Sequence, residues 1–372
     1  MRILIINNDA PPLGGAEHHV KLLHRLLESK GHQVTCFYPY SHYGSSSVSE
    51  VKKAFLNLIE GKIFDIAHIH NLEYKFSLLL DILYEKNVKM IQTLHDFRYI
   101  CASGSFFRKG KICSECMEGR YYKAALNGCF SFLHSFGRYF NETVFKMDPV
   151  RIKKIACYIS PSLSLINVLK EGGFDGEIIH IYNFLDLDTY KTDVEPIKEN
   201  PYIVYFGRLT EDKGLMTLLS AIKGTGIKLY IIGKGFLEKK LMERIETEKG
   251  LENVELKGFM QGQKLFDLIG GSRFTVVPSE WWENLPYAIL ESFALGKTCI
   301  ASDLGGISEL VNSERGLLFK AGDYLDLREK IVNLYHDLNL ISVLGNNGRN
   351  FVRENMSDEI YYDRIIELYS GL

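Results

Sequence analysis

The chain has 372 residues, more than one ordinary hydrophobic core organises and about right for two domains of similar size. Apolar residues make up 46% of the chain and charged residues 24%, a balance that excludes disordered and fibrous classes. The formal net charge of -2 excludes a globally basic nucleic-acid-binding protein, so we expect no nucleic-acid partner.

The first residues argue against a secretory or membrane-anchored protein. The apolar run Ile3–Ile6 is too short for a signal-peptide core and reads as a first strand. Elsewhere the sequence has no run near the roughly 18 apolar residues that a membrane-spanning helix needs. The 7 cysteines form no secreted disulfide framework in a chain of this length. We therefore expect a cytoplasmic protein with reduced thiols.

Short apolar runs alternate with longer amphipathic stretches, a pattern typical of βαβ units and parallel sheets. In the first half they predict strands near Ile3–Ile6, Gln33–Phe37, Ile66–Ile69, Lys89–Thr93, Ala156–Ile159 and Ile178–Ile181. The second half restarts the pattern, with strands near Ile203–Phe206, Lys228–Ile232, Val254–Leu256, Thr275–Val277, Cys299–Ala301 and Leu317–Phe319. The predicted fold class is α/β, with two Rossmann-like parallel-sheet domains.

The domain boundary is predicted in the polar segment Leu185–Pro201, which has no sustained apolar period. This divides the chain into an N-terminal domain, residues 1–195, and a C-terminal domain, residues 196–355. The last segment, 356–372, is predicted to be a helix with a broad apolar face that packs back toward the N-terminal domain.

The segment Trp281–Glu291 contains two carboxylates, Glu283 and Glu291, eight residues apart. On one helix they would face the same side, about 12 Å apart along the axis, a span that suits the two ends of a nucleotide-sugar. Asn284 as N-cap and Pro286 in the first turn would begin this helix, and the free N–H groups there could meet a diphosphate or sugar hydroxyls. The alternative is a solvated helix face.

Two loops strengthen the functional interpretation. Arg208 and Lys213 lie in one loop after a predicted strand, where a guanidinium fork and an ammonium group can neutralise a diphosphate. Gly233 follows the next strand, and glycine there would permit close backbone approach to a ligand.

These elements, in this order, resemble family 4 of the retaining glycosyltransferases, which have the GT-B fold. The similar motifs are Gly14-Gly15-Ala16-Glu17, His68-Ile69-His70-Asn71, His95-Asp96, Gly207-Arg208 through Lys213-Gly214, Glu283 through Glu291, Gly296-Lys297 and Asp303-Leu304-Gly305-Gly306. The resemblance covers nearly the whole chain, with 97–150 the most individual part. It implies two domains that face each other across a cleft, the N-terminal one for the acceptor and the C-terminal one for a nucleotide-sugar.

The resemblance also implies residue roles. Arg208 and Lys213 would bind the diphosphate, Glu283 the hydroxyls of the transferred sugar, and Glu291 the ribose. Asn284, Leu285 and Gly233 would complete the donor site, with the backbone beside Phe259 at the base. Gly14 and Gly15 would let the first loop close over the phosphates, although they also fit a simple turn. His95 would lie beside the reacting centre, whereas His68 reads as a packed strand residue.

The resemblance predicts a hexosyltransferase that moves a sugar, with retention, from a nucleotide-diphosphate sugar to a glycan or lipid-linked acceptor in envelope or capsular polysaccharide biosynthesis. Fixed cations and helix N–H groups can stabilise the leaving group, so we expect catalysis without a metal or other cofactor. The alternatives are a GT-B-fold sugar-nucleotide epimerase, a phosphorylase and a non-catalytic nucleotide-sugar-binding protein.

Four cysteines, Cys101, Cys113, Cys116 and Cys129, cluster in the individual region, two of them as a Cys-x-x-Cys pair. Four thiolates can form a tetrahedral structural zinc site, and reduced packed or redox-sensitive thiols are the alternative.

The same region is basic: residues 98–154 contain 11 Lys or Arg and 4 Asp or Glu, a balance of +7. It also contains Phe130, Phe132, Phe136, Tyr139, Phe140 and Phe145. Basic-aromatic helices commonly lie on anionic membranes, which predicts peripheral association with the inner face of a membrane. A solvated face with core aromatics is the alternative.

Overall fold

A computed structural model describes residues 1–11, 14–40, 47–101, 103–117, 120, 122–129, 149–192 and 201–372 of the chain. Its strands are β1 (Arg2–Ile6), β2 (Gln33–Phe37), β3 (Ile66–Ile69), β4 (Lys89–Thr93), β5 (Phe107–Arg108), β6 (Lys111–Ile112), β7 (Cys157–Ser160), β8 (Ile178–His180), β9 (Tyr202–Phe206), β10 (Lys228–Ile232), β11 (Val254–Gly258), β12 (Thr275–Val277), β13 (Cys299–Ser302) and β14 (Gly316–Phe319). Every strand predicted from the apolar runs is confirmed. The short antiparallel hairpin β5–β6 was not foreseen.

Helices connect the strands of both sheets. They are α1 (Gly15–Ser29), α2 (Val48–Ile59), α3 (Leu78–Glu85), α4 (Tyr122–Leu126), α5 (Pro149–Ile152), α6 (Leu163–Glu171), α7 (Leu215–Ile222), α8 (Glu238–Thr247), α9 (Gln263–Gly270), α10 (Tyr287–Ala294), α11 (Ile307–Leu310), α12 (Tyr324–His336), α13 (Leu338–Asn355) and α14 (Asp358–Gly371). Within the described part of the chain, none of them combines the length and the apolar character that crossing a bilayer requires.

By its internal contacts the chain divides into two compact units. The first comprises residues 1–106, 113–184 and 358–372, and the second comprises residues 107–112 and 185–357. The boundary predicted near residue 195 falls in segment 193–200, which lies outside the described residues.

The first unit is organised around six parallel strands in the order β2-β1-β3-β4-β7-β8. One face of this sheet is covered by α1, whose Val20, Leu23 and Leu27 are fully buried at helical spacing. The order of the strands reverses between β1 and β3. At such a switch point the loops at the carboxyl ends of the strands part and leave a crevice for ligands.

Helix α14 belongs to the first unit, although the second unit precedes it in the chain. Its Tyr361, Ile365 and Tyr369 recur every four residues and are buried in one core with residues of β1 and α1. The apolar face predicted for this segment is therefore a packing face.

The second unit is organised around six parallel strands in the order β11-β10-β9-β12-β13-β14. This order has its switch point between β9 and β12. The central strands β9 and β12 are buried on both faces, as for the adjacent residues Ile203 and Val204 on β9, because helices cover each side of a doubly wound sheet. The loops that leave the carboxyl ends of β9 and β12 contain the residues singled out in the sequence. The two units, each with a parallel sheet and connecting helices, fit the predicted α/β class.

Candidate functional site

The loops after β9 and β12 flank the switch point of the second unit, the usual location of ligands in such sheets. The loop after β9 contains Arg208 and Lys213, and the segment after β12 contains Trp281 and Glu283. The fold thus places the predicted cations and one of the predicted acids on two adjacent loops.

Backbone contacts fix the loop after β9. The Tyr205 hydroxyl donates to the carbonyl oxygen of Arg208 at 2.7 Å, and the amide of Leu209 donates to the carbonyl of Lys234 at 3.0 Å. Gly233 has φ of 150°, and a Cβ atom there would lie 1.9 Å from the carbonyl oxygen of Gly207. The close approach observed at Gly233 is therefore to the neighbouring loop.

Lys213 and Glu283 form a buried ion pair across the two loops. The ammonium nitrogen lies 2.5 Å from Glu283 Oε1, and the two side chains are 15% and 8% exposed. Ser279 donates to the same oxygen at 2.7 Å. Burying a carboxylate is unfavourable unless it is paired and hydrogen-bonded, and both conditions hold here.

The environment of Glu283 keeps it ionised. Burial by itself would raise the pKa of this carboxyl, but the charge of Lys213 and the hydrogen bonds from Lys213 and Ser279 bring the net pKa below its usual value. Glu283 therefore offers a fixed negative charge at neutral pH.

Arg208 lies beside this pair and is more accessible. Its side chain is 60% exposed, and its guanidinium lies 3.5 Å from Asp212 Oδ2. Both cations face the indole of Trp281, with Lys213 Nζ 4.9 Å and Arg208 Cζ 6.0 Å from the ring centroid. Cation–π contacts at these distances restrain the cations. Sequence reasoning noted Trp281 only as a neighbour of the acids and missed this contact.

The backbone of Glu283 is held by the loop after β13. The amide of Gly306 donates to the carbonyl oxygen of Glu283 at 2.9 Å. Gly305 has φ of 62°, and a Cβ atom there would lie 2.6 Å from the same oxygen. This contact explains the glycine at position 305.

The predicted helix geometry of the acidic segment is wrong. Helix α10 begins at Tyr287 with Pro286 at its N-cap, so Asn284 is not the cap and Glu283 precedes the helix. The two acids therefore do not share a helix face, and the 12 Å axial separation does not apply. Asn284 and Leu285 lie buried in the segment between Glu283 and the helix.

Glu291, on α10, has a separate environment. The Tyr190 hydroxyl donates to Glu291 Oε1 at 3.0 Å. In the described chain, no hydrogen bond or ion pair joins Glu291 to Lys213, Glu283 or Arg208. Burial raises the pKa of Glu291 to about 7, and the hydrogen bond from Tyr190 opposes the rise. Sequence reasoning missed Tyr190 because the segment around it has no apolar period.

Phe259, expected near the base, follows β11 and is 56% exposed, with Lys234 Nζ 4.9 Å from its ring centroid. An exposed aromatic ring beside a cation, at the edge that carries the charged loops, offers an apolar surface for a planar ligand.

In the first unit, Gly14 and Gly15 stand at the start of α1, where Gly14 is the N-cap. They follow β1, on one side of that unit's switch point. The preceding residues 12–13 lie outside the described residues.

His95 follows β4 and belongs to a group of histidines. Its Nε2 lies 2.9 Å from Nδ1 of His70. Burial, with a smaller effect of Arg98 and against the effect of Asp96, lowers the pKa of His95 to about 4, so the ring is neutral at pH 7. The prediction that His68 is a packed strand residue is confirmed: it is fully buried and bonded to Tyr369 and Thr93.

The structure does not assemble the cysteines into the predicted zinc site. Among the described residues, which include Cys101, Cys113, Cys116 and Cys129, no group of three or more His, Cys, Asp or Glu side chains is placed to hold a metal. Cys101 and Cys116 are buried, and Cys113 and Cys129 are partly exposed. The aromatic residues Phe130–Phe145, cited for membrane binding, lie outside the described residues.

Comparison with known proteins agrees with this geometry. Residues 188–351, which include both charged loops, match the family model for group 1 glycosyl transferases. An uncharacterised glycosyltransferase of Methanocaldococcus jannaschii is 26% identical over 361 residues, which is 95% of this chain and 94% of that protein. The capsular polysaccharide biosynthesis glycosyltransferase CapM of Staphylococcus aureus is 25% identical over 47% of each chain.

A solved structure, HepE of Anabaena in complex with UDP and glucose, superposes with a TM-score of 0.71 at 19% identity, covering 100% of both chains. This likeness establishes the GT-B fold. The fold and the match over the charged loops together define the chain as a glycosyltransferase. No narrower assignment within that class follows from these comparisons.

Proposed function

We propose that the chain is a retaining, metal-independent hexosyltransferase of family 4 that uses a nucleotide-diphosphate sugar. The observation that carries this proposal is the buried Lys213–Glu283 pair beside the exposed Arg208, on two loops that flank the switch point of the second unit. These loops combine fixed cations, which an anionic diphosphate requires, with an ionised acid that can accept hydrogen bonds from sugar hydroxyls.

The cations would act on the leaving group. In the transfer, the bond between the anomeric carbon and the diphosphate oxygen breaks, and the diphosphate gains negative charge. Arg208 is accessible and is held by a 3.5 Å ion pair with Asp212 and a cation–π contact with Trp281, so it can turn toward a phosphate, while Lys213 is held in place by Glu283. Preorganised charges of this kind stabilise developing charge efficiently and supply the role that a divalent cation has in other transferases.

Retention follows if the acceptor attacks from the face that the diphosphate leaves. A new bond then forms between the acceptor oxygen and the anomeric carbon, and the acceptor's proton passes to the departing phosphate oxygen. This route needs no carboxylate nucleophile. Glu283 would instead orient the transferred sugar, since its pairing with Lys213 keeps it anionic.

The donor assignments extend to Glu291 and Phe259. Glu291 lies on α10, the helix that begins shortly after Glu283, and within the described chain its one hydrogen-bond donor is Tyr190. A ribose diol could therefore donate to this carboxylate. HepE, which shares the fold, was solved with UDP-glucose, so a UDP-sugar is the first donor to test. The assignments of Gly14, Gly15, Gly233, Asn284, Leu285 and His95 to the same reaction stay predictions.

We place the acceptor among glycans or lipid-linked saccharides of envelope or capsular polysaccharide biosynthesis. The resemblance to CapM supports this placement. The basic region 98–154 supports a cytoplasmic protein attached to an anionic membrane surface. Flotation of the full chain with anionic and neutral vesicles tests the attachment, and equal recovery with both would exclude it.

A donor screen tests the enzymatic proposal. UDP-, GDP-, ADP- and CDP-sugars are added to the purified chain, and a ligand at 100 times its dissociation constant should add about 2.7 kcal/mol of stability. Incubation of the stabilising donor with lipid-linked acceptor extracts should release the nucleotide and yield a glycoside of unchanged anomeric configuration by NMR, with or without EDTA. Conversion of the donor to an epimeric sugar nucleotide would indicate the epimerase, and binding without turnover the non-catalytic binding protein.

A further inference from the structure

His70 is a fully buried histidine whose ring contacts the predicted active-site residue His95. Nδ1 of His70 and Nε2 of His95 lie 2.9 Å apart, the distance of a hydrogen bond. One of these two nitrogens must therefore donate and the other accept.

Both rings are neutral at pH 7. Burial, reinforced by the neighbouring histidines His68, His95 and His19, lowers the pKa of His70 well below its usual value. His95 is likewise neutral because of its burial. A neutral imidazole has one N–H and one lone pair, so the proton in this contact decides the tautomer of both rings.

The other ring nitrogen of His70 distinguishes the two arrangements. His70 Nε2 is buried, and no protein atom among the described residues hydrogen-bonds to it. If His95 donated, His70 would carry its proton on Nε2 and bury an N–H group without an acceptor. If His70 donates from Nδ1, only a lone pair is left at that position. A buried N–H group without an acceptor is rarer in proteins than a buried acceptor without a donor. The arrangement in which His70 donates from Nδ1 is therefore favoured.

The backbone of His70 is held on two sides. Its amide donates to the carbonyl of Ile6 on β1 at 2.8 Å. Its carbonyl accepts from Nε2 of Gln92 at 3.1 Å, and the Tyr99 hydroxyl donates to Oε1 of the same Gln92 at 2.7 Å. These contacts fix the backbone of His70, and its ring stacks on the ring of His68 with the centroids 4.3 Å apart.

We propose, on the basis of the glycosyltransferase function above, that His70 is a positioning residue that holds His95 as the Nδ1–H tautomer. His95 lines a pocket of the first unit together with Asn71, Asp96, Arg98 and Tyr99. In this tautomer His95 donates a hydrogen bond through Nδ1 to a hydroxyl of the sugar substrate and does not act there as a proton acceptor.

The direct test is the imidazole tautomer of His95, measured by long-range proton–nitrogen NMR on the full chain with ¹⁵N-labelled histidine at pH 7. The His95 signals are assigned by their loss in His95→Gln. A predominant Nδ1–H form is expected. A predominant Nε2–H form of His95 in the unsubstituted protein would overturn the proposal.

Substitution of His70 gives a second test. His70→Leu removes the donor, so an Nε2–H population of His95 should appear. His70→Asn places an amide N–H near the position of Nδ1 and should restore the Nδ1–H form. The matched control is Tyr369→Phe, which removes a 2.7 Å hydrogen bond to the neighbouring His68 and should leave His95 unchanged. An unaltered His95 tautomer in His70→Leu would contradict the assignment. If His70→Leu does not fold, His70→Asn is measured in its place, and a predominant Nε2–H form of His95 in that variant would contradict the assignment.

Kinetics then separate positioning from general structural damage. Loss of one neutral hydrogen bond to the substrate should lower kcat/KM of His70→Leu about 2- to 10-fold, with recovery in His70→Asn and no change in Tyr369→Phe. The NMR result does not depend on catalysis. If the chain transfers no sugar, the proposed function fails while the tautomer assignment can still stand. If the chain transfers sugar but His95 is in the Nε2–H form, only the tautomer assignment fails.

Discussion

Replacing Glu291 with Gln should stabilise the ligand-free protein and weaken donor binding. Burial raises the pKa of Glu291 from 4.5 to about 7, so this carboxyl is harder to ionise in the folded chain than in the unfolded chain. Its contribution to stability is complete below pH 4.5 and is lost as the pH rises through about 7. Gln does not ionise, so the variant has no such loss. The difference in the free energy of unfolding between the two proteins should therefore grow from pH 4.5 to about 7.

The magnitude follows from the same values. The two pKa values of Glu291 differ by about 2.5, and each pKa unit corresponds to about 1.36 kcal/mol. Above pH 7 the variant should therefore be more stable by about 3 kcal/mol. Urea unfolding of both proteins between pH 4.5 and 8 measures it. Glu246→Gln, an exposed substitution on α8, is the control and should show no pH-dependent difference.

Donor affinity should change in the opposite sense. If the ribose hydroxyls donate to the ionised form of Glu291, the dissociation constant of a UDP-sugar should rise up to about tenfold per pH unit below the pKa. Glu291→Gln should bind about 10- to 150-fold more weakly at pH 8 and lose this pH dependence. Calorimetry that finds unchanged affinity, or a stability difference independent of pH, would refute the reasoning.

Three other substitutions test the charged loops. Arg208→Ala should weaken donor binding about 10-fold or more by calorimetry without altering stability, because the side chain is exposed; the exposed Arg353→Ala on α13 is the control, and a matching loss there would discount the result. Lys213→Met should cost about 3–5 kcal/mol by leaving Glu283 buried without its cation, and urea unfolding should show recovery when Glu283→Leu is added; no recovery would contradict the pairing. Gly233→Ala should destabilise the chain by more than about 1 kcal/mol, since a Cβ atom would lie 1.9 Å from a neighbouring carbonyl; a melting temperature equal to that of the unsubstituted protein would contradict this.

The central strands could be predicted from the sequence because they are apolar runs buried on both faces, as at Ile203–Phe206. The two sheets and their α/β class then followed from the repeated alternation. The hairpin β5–β6 was missed because Phe107–Ile112 has no apolar period, and its two strands are only two residues long.

The helix start after Glu283 was misplaced for a reason that the sequence contains. An N-cap at Asn284 would require helical backbone dihedrals at Leu285. Leu285 precedes Pro286, and helical dihedrals are disfavoured for a residue that precedes a proline. The helix therefore begins beyond Pro286. The loop with Arg208 and Lys213 follows β9, as the sequence predicts, because both charges come soon after a strong apolar run; ligands bind at that end of parallel strands, and the roles of the two cations stay predictions.

Contacts between distant segments were beyond sequence reasoning. Tyr190 and Glu291 are 101 residues apart, and nothing in the local sequence of either points to the other. The pairing of His70 with His95 depends on the adjacency of β3 and β4, which fixes where the residues that follow them meet. The cysteine spacing suggested a metal, but among the described residues no three metal-binding side chains are placed to share an ion.

The place of α14 in the first unit has a consequence for biosynthesis. Tyr361 and Tyr369 hydrogen-bond to His19 and His68, which are otherwise enclosed by the first sheet and its helices. During translation, the ribosome releases the first unit's sheet long before residues 358–372 exist. The sheet of the first unit therefore keeps an uncovered apolar surface while the whole second unit is synthesised. Chaperone binding to ribosome-attached chains should be greatest in this interval.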